Sequence, residues 1–137
     1  MSFWSKLSGL MPSDIFAAVR KGNLERVKAL LESNPGLVFK TDSLGWTPLH
    51  TATHWHQKDA AEVLLANQAE VNVQDEAGVT PLHFAVDEGR QDLVELLLAS
   101  NADVNIRDHA GKTPWQWAVA KGHADLAAWL RQHGGRE

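Results

Sequence analysis

The stretch Gly45 to His56, GWTPLHTATHWH, puts three imidazoles within seven positions. On a helix His50 and His54, four apart, would share one face, as a pair of zinc ligands does, with His56 close by. Imidazoles so placed could hold a transition metal and activate a water, which makes a metal-dependent sensor or hydrolase one reading of this segment. No Asp or Glu stands at a spacing that completes a familiar ligand set.

The elements that carry these residues come from a repeat. TPLH begins at Thr47 and at Thr80, and TPWQ begins at Thr113, so both intervals are 33. Gly45, Gly78 and Gly111 keep the same step, as do Ala52, Ala85 and Ala118, and VNVQD at 71–75 returns as VNIRD at 104–108. A fixed period changes the meaning of every local motif inside it. His50 is matched by His83, so the repeat explains its presence without any ligand. His56 stands where Gly89 and Gly122 stand, which predicts a left-handed backbone or a shifted turn, with local strain. His109 and His123 fall at a loop tip and a turn, where solvated surface is the plain expectation.

Local physics then builds each unit. Thr47, Thr80 and Thr113 are N-caps, and the proline after each sits at the first helical position, where no N–H is needed. Gly89 and Gly122 end that helix after about two turns. A second, mostly buried helix follows, marked by Val63, Leu64 and Leu65, by Leu93, Val94 and Leu96 to Leu98, and by Leu126, Trp129 and Leu130. Extended stretches then turn at Asp-x-x-Gly. Upstream, 13–45 fits the same frame with Ser13 as its cap, Gly22 at the turn and one extra residue between Asn34 and Val38.

These units resemble ankyrin repeats, most clearly at TPLHFAVDEGRQDLVELLLASNADVNIRDHAG, 80–111, and the resemblance covers about 13–133. It implies an all-α solenoid of stacked helix-turn-helix units with projecting β-hairpin-like loops, the units lying at about 13–45, 46–78, 79–111 and 112–137. It also implies that His50 and His83 are buttresses, bonding backbone groups between neighbouring loops. Terminal units need a polar outer face, supplied by Arg20, Lys21, Glu25, Arg26 and Lys28 at one end and Arg131, Gln132 and His133 at the other. Residues 1–12 form a separate N-terminal segment, in which Phe3, Leu7 and Leu10, beside Trp4 and Met11, predict a short capping helix rather than a membrane anchor, since one lysine gives little attraction to anionic lipid.

The family further implies a concave groove made from loop tips and the exposed side of each first helix. Carried over by position, its protein-binding residues are Leu44, Trp46, His54 and Trp55, then Glu76, Val79, Asp87 and Glu88, then Lys112 and Lys121, with Arg20 and Lys21 in the first unit. Trp46 and Trp55 are the expected anchors, because exposed indoles need a reason. Trp129 is expected in the core, Trp115 replaces a core leucine, and Trp117 occupies a half-buried site matched by Thr51 and Phe84.

Composition narrows the rest. The chain of 137 residues is 44% hydrophobic, enough for one ordinary domain. Lys and Arg total 13 against 17 for Asp and Glu, a formal charge of -4 that gives no broad attraction to nucleic acid. With no cysteine, disulfides and thiolate chemistry are excluded. No nucleophile, base and orienting acid can be grouped, and no phosphate-binding loop follows a strand. The expectation is a non-catalytic, cytoplasmic, monomeric adaptor that binds another protein and needs no cofactor and no metal. A metal-dependent enzyme and an inert, designed scaffold are the alternatives.

Overall fold

The computed structural model describes residues 14–137, and every helix in that span is short. In order they are α1 (Ile15–Arg20), α2 (Leu24–Ser33), a 3₁₀ turn at Pro35–Phe39, α3 (Pro48–His54), α4 (Lys58–Ala66), α5 (Pro81–Asp87), α6 (Gln91–Ala99), α7 (Pro114–Ala120) and α8 (Ala124–Gln132). No strand occurs among the described residues, and the fold is all-α. Helices of six to ten residues are not stable alone in water, so stacking must hold them. The first helices pack side by side in the order α1, α3, α5, α7, while α2, α4 and α6 stack behind them, which makes a solenoid of helix-turn-helix pairs. The capping helix expected within residues 1–12 lies outside the described residues.

The caps show why each pair starts where it does. Thr47, Thr80 and Thr113 keep an extended backbone, and each hydroxyl accepts from the amide three residues on, with proline at the first helical position. Asp14 does the same for α1, accepting from the Ala17 amide at 2.9 Å. Ser13, the expected cap there, lies outside the described residues. With Asp14 capping, α1 has six residues where α3, α5 and α7 have seven. The extra residue near Asn34 is taken up by the 3₁₀ turn, whose start the Asn34 side chain holds by accepting from the Gly36 amide.

Gly22, His56, Gly89 and Gly122 end the first helices with φ of +69°, +58°, +68° and +76°. His56 thus adopts the left-handed conformation that its place in the repeat requires. The residue after each turn can reach back to the preceding pair. Gln57 donates from Nε2 to the Arg20 carbonyl at 3.0 Å, and His123 Nε2 to the Asp87 carbonyl at 2.9 Å. His123 is therefore a half-buried strut between units, not the solvated side chain expected from its turn position.

His50 and His83 are the larger struts. A carbonyl can only accept, so Nε2 carries the proton in both rings: His50 donates to the Val79 carbonyl at 2.8 Å and His83 to the Lys112 carbonyl at 3.0 Å. Each Nδ1 then accepts from an amide of its own cap, Thr47 or Thr80, at 3.1 Å. Gln116 in the last pair keeps only the inward half, accepting from the Thr113 amide at 2.9 Å.

One apolar core runs through the stack, with Leu49, Leu64, Leu82, Leu93, Leu97 and Leu130 fully buried. Trp115 takes the place of Leu49 and Leu82 but is only half-buried, because no further pair covers it; the Arg131 guanidinium lies 4.1 Å above its ring instead. Trp129, expected inside, is also half-buried and stacks on His133 at 3.8 Å between ring centres. Its repeat position faces the flank of the second helices, where Val63 and Leu96 are half-buried too.

Replacing His50 by alanine removes one donor and one acceptor from buried backbone partners and leaves a cavity. The expected loss is about 2–4 kcal/mol of unfolding free energy, read by denaturant titration. Burial holds both imidazoles below the ordinary value of 6.5; for His50 the Val79 carbonyl and the Asp75 and Asp42 carboxylates oppose that without reversing it. The unfolded chain therefore takes up protons that the folded chain refuses. Stability should be full above pH 6.5 and fall as pH drops through it, and His83→Gln, which can keep the bond to Thr80, should flatten that slope in a series of melts.

Candidate protein-binding face

The loops are set by one carboxylate each. Oδ1 of Asp42 accepts from the Leu44 and Trp46 amides, that of Asp75 from Ala77 and Val79, and that of Asp108 from Ala110 and Lys112, all at 2.8 or 2.9 Å. Gly45, Gly78 and Gly111 complete the turn in the left-handed region, where other residues would be strained. Adjacent tips then bond each other, Glu76 N to Leu44 O at 3.1 Å and His109 N to Ala77 O at 2.9 Å. The result is a row of tips, each leading into the N-terminal end of α3, α5 or α7.

Between tips and helices lies an aromatic surface. The Trp46 ring sits 4.9 Å from Phe84 and 5.0 Å from His54, and His54 is 5.4 Å from both Phe84 and Trp55. Trp46 is half-buried in this cluster, whereas Trp55 is 49% exposed. Next to it a cavity of about 430 Å³ is walled by His54, Phe84, Asp87, Trp117, Ala120 and Lys121. Trp117 is fixed there by its indole N–H, which donates to Asp108 Oδ2 at 2.9 Å, and by the His83 ring 5.0 Å away. Burial alone would raise the Asp108 carboxyl, but the Lys112 amide, the Trp117 indole and the Ala110 amide outweigh it and hold the group below its usual value.

The expected binding residues are placed unevenly. Leu44, Trp55, Glu76, Glu88, Lys112 and Lys121 are exposed, and Trp46, His54 and Asp87 are half-buried at the edge of the aromatic surface. Val79 is not on that surface. It is 7% exposed, its carbonyl takes the His50 bond and its amide the Asp75 bond, so its side chain packs inward. Lys121 Nζ meets Asp87 Oδ1 at 3.1 Å, and His56 Nε2 lies 3.3 Å from Glu88 Oε2. Phe84 and Trp117 were not among the expected groove residues, although they form two cavity walls. Their shared repeat position was the available signal, but in the second unit it holds the buried Thr51.

The three histidines of 50–56 do not converge. Both nitrogens of His50 hold backbone groups, His54 lies among rings and His56 turns to Glu88. Among the described residues no group of three His, Asp or Glu side chains could hold an ion. No helix there is long and apolar enough to cross a membrane.

Stacked helix pairs with carboxylate-set loops, locked by a capping imidazole, define a repeat protein of the helix-turn-helix kind. The chain belongs to the ankyrin-repeat family: the family model described as ankyrin repeats (3 copies) matches residues 14–75 and 67–136. Mouse 2-5A-dependent ribonuclease is 38% identical over 58 residues, 42% of this chain and 8% of that protein. Mouse protein phosphatase 1 regulatory subunit 12A is 35% identical over 57 residues, 42% of this chain and 5% of that protein. The chain thus spans under a tenth of these relatives' lengths. Ankyrin repeats are in general protein–protein interaction modules and non-catalytic.

With His50 held by backbone, equimolar zinc should leave the melting temperature unchanged in a calorimetric scan. A rise that saturates at one ion per chain, and is lost in His54→Ala, would restore the metal-site reading.

Proposed function

We propose that the chain is a non-catalytic adaptor that takes a protein partner on the face between its loop tips and the ends of α3, α5 and α7. One observation carries this reading: Trp55 is about half exposed against His54, a wall of the cavity that Phe84 and Trp117 also line, and Leu44 is about half exposed at a loop tip, on loops and helices that their own hydrogen bonds keep in place. Large rings held open to solvent on a rigid support are what protein interfaces use as anchors. With units read at about 13–45, 46–78, 79–111 and 112–137, Trp55, Phe84 and Trp117 belong to the second, third and fourth units and Leu44 to the end of the first. The relative named as a regulatory subunit of a phosphatase is a protein that acts on another protein, which supports the same role here. The ribonuclease name lends no catalysis to this chain, which covers 8% of that protein. The adaptor is read as a cytoplasmic monomer that needs no cofactor and, at a net charge of -4, no nucleic acid.

Affinity capture from extract of the source cells, with quantification by mass spectrometry, tests it. Proteins retained by the wild type should be lost with Trp55→Ala and with Trp46→Ala, and kept with Glu62→Ala on α4. Trp55→Ala should leave the melting temperature within a degree or two, because an exposed side chain contributes little to the core. Identical retention by all forms would contradict the reading and favour an inert scaffold.

A further inference from the structure

We propose that this face selects a cationic segment: an arginine or lysine of the partner lies on the Trp55 indole against Glu88, while a neighbouring apolar side chain enters the cleft between Phe84 and Trp117. The inference rests on the adaptor reading and specifies its partner. Trp55, Glu88 and Lys121 occupy one repeat position in three successive units, and His54, Asp87 and Ala120 occupy the position before it. The exposed indole therefore has a carboxylate as its neighbour in the row. Lys121 does not cancel that charge, since its ammonium is engaged by Asp87 at 3.1 Å. Glu88 faces His56 at 3.3 Å, and a neutral imidazole can give it one hydrogen bond without removing its charge. The third unit adds Glu76, exposed at the loop tip, so with Asp87 taken up by Lys121 it is Glu76 and Glu88 that make the middle of this face acidic.

An indole face attracts a cation through its quadrupole, and a carboxylate does so through its charge, so the two groups favour the same ligand and both disfavour an anion. A purely apolar partner would cover Trp55 only by bringing apolar surface against Glu88, its neighbour in the row, at the expense of that carboxylate's hydration. The cleft beside them asks for the opposite chemistry. Its walls are the rings of His54, Phe84 and Trp117 with Ala120 beneath, and its charged groups, Asp87 and Lys121, already satisfy each other. A segment with a basic residue next to Leu, Met or Phe matches both halves at once.

Random peptides displayed on phage, selected on the full chain and remade synthetically, provide the probe. The selected peptides are titrated by calorimetry against wild type, Trp55→Ala, Glu88→Gln and Phe84→Leu, each checked for an unchanged fold by its melt. The expected peptides carry Arg or Lys within a residue or two of an apolar side chain, and Trp55→Ala and Glu88→Gln each weaken them about tenfold. Replacing the peptide's basic residue by norleucine should lose as much, and affinity should fall with added salt. Peptides weakened by Phe84→Leu alone would overturn the cationic site and leave the adaptor reading standing. Peptides indifferent to all three variants, or no selection above background, would overturn both. Dimerisation of the chain by itself, abolished by Trp55→Ala, would assign the face to a second copy and also overturn the proposal.

Discussion

The structure depends on an imidazole that has two tasks at once. Its Nδ1 takes an amide at the start of its own helix, and its Nε2–H reaches the carbonyl at the root of the next loop. A ring can do this only when neutral and in one tautomer, and burial enforces the neutral form. Each unit is too small to bury its own apolar side, so the bond that sets where the next loop begins also sets the register in which the cores meet. The loop tips follow, because Val79 and Lys112, the strut acceptors, are also partners of the Asp75 and Asp108 turns. The recognition face is thus spaced by a bond made in the interior.

The last unit shows what happens when that bond has no further loop to reach. Glutamine replaces histidine and keeps the inward contact alone. Positions sealed elsewhere are uncovered there: Val119 is 52% exposed, where Val86 and Thr53 are fully buried. The C-terminal tail partly stands in for a next loop. The Arg136 amide donates to the Asn105 side chain at 2.9 Å, as the Asp103 amide donates to Asn72 at 2.7 Å one unit earlier, and the Thr113 hydroxyl donates to the Arg136 carbonyl.

Much of this was legible in the residues because it is local or periodic. The Thr-Pro caps, the turn glycines and the Asp-x-x-Gly loops each follow from short-range chemistry repeated every 33 positions, whereas the buttress role of His50 and His83, whose outer bonds span 29 residues, was implied only by the resemblance to ankyrin repeats. The exposure of a position was harder to read, since it depends on which neighbour is large. Val79, Trp46 and Lys112 share a repeat position, yet the first is buried, the second half-buried and the third exposed. Thr51, Phe84 and Trp117 share another, and only the aromatic pair reaches the cleft. Contacts that cross units from a turn, such as His123 to the Asp87 carbonyl, leave no pattern in the chain, because Arg90 at the same position pairs with Asp92 instead. The displaced cap at Asp14 was hidden by the irregular first unit, whose extra residue sits in the 3₁₀ turn.

An adaptor built this way keeps its binding chemistry separate from its stability. The buried ladder of leucines, threonines and imidazoles fixes the frame, and the side chains at the tips and helix ends are free to differ between units, as tryptophan, glutamate and lysine do at one position. The most direct measurement of the central claim is the long-range proton–nitrogen NMR spectrum of the His50 and His83 rings. Both should show a protonated Nε2 and a bare Nδ1 that persist below pH 6.5, the ordinary value for the side chain. Rings that average between tautomers, or that titrate like free histidine, would contradict the account.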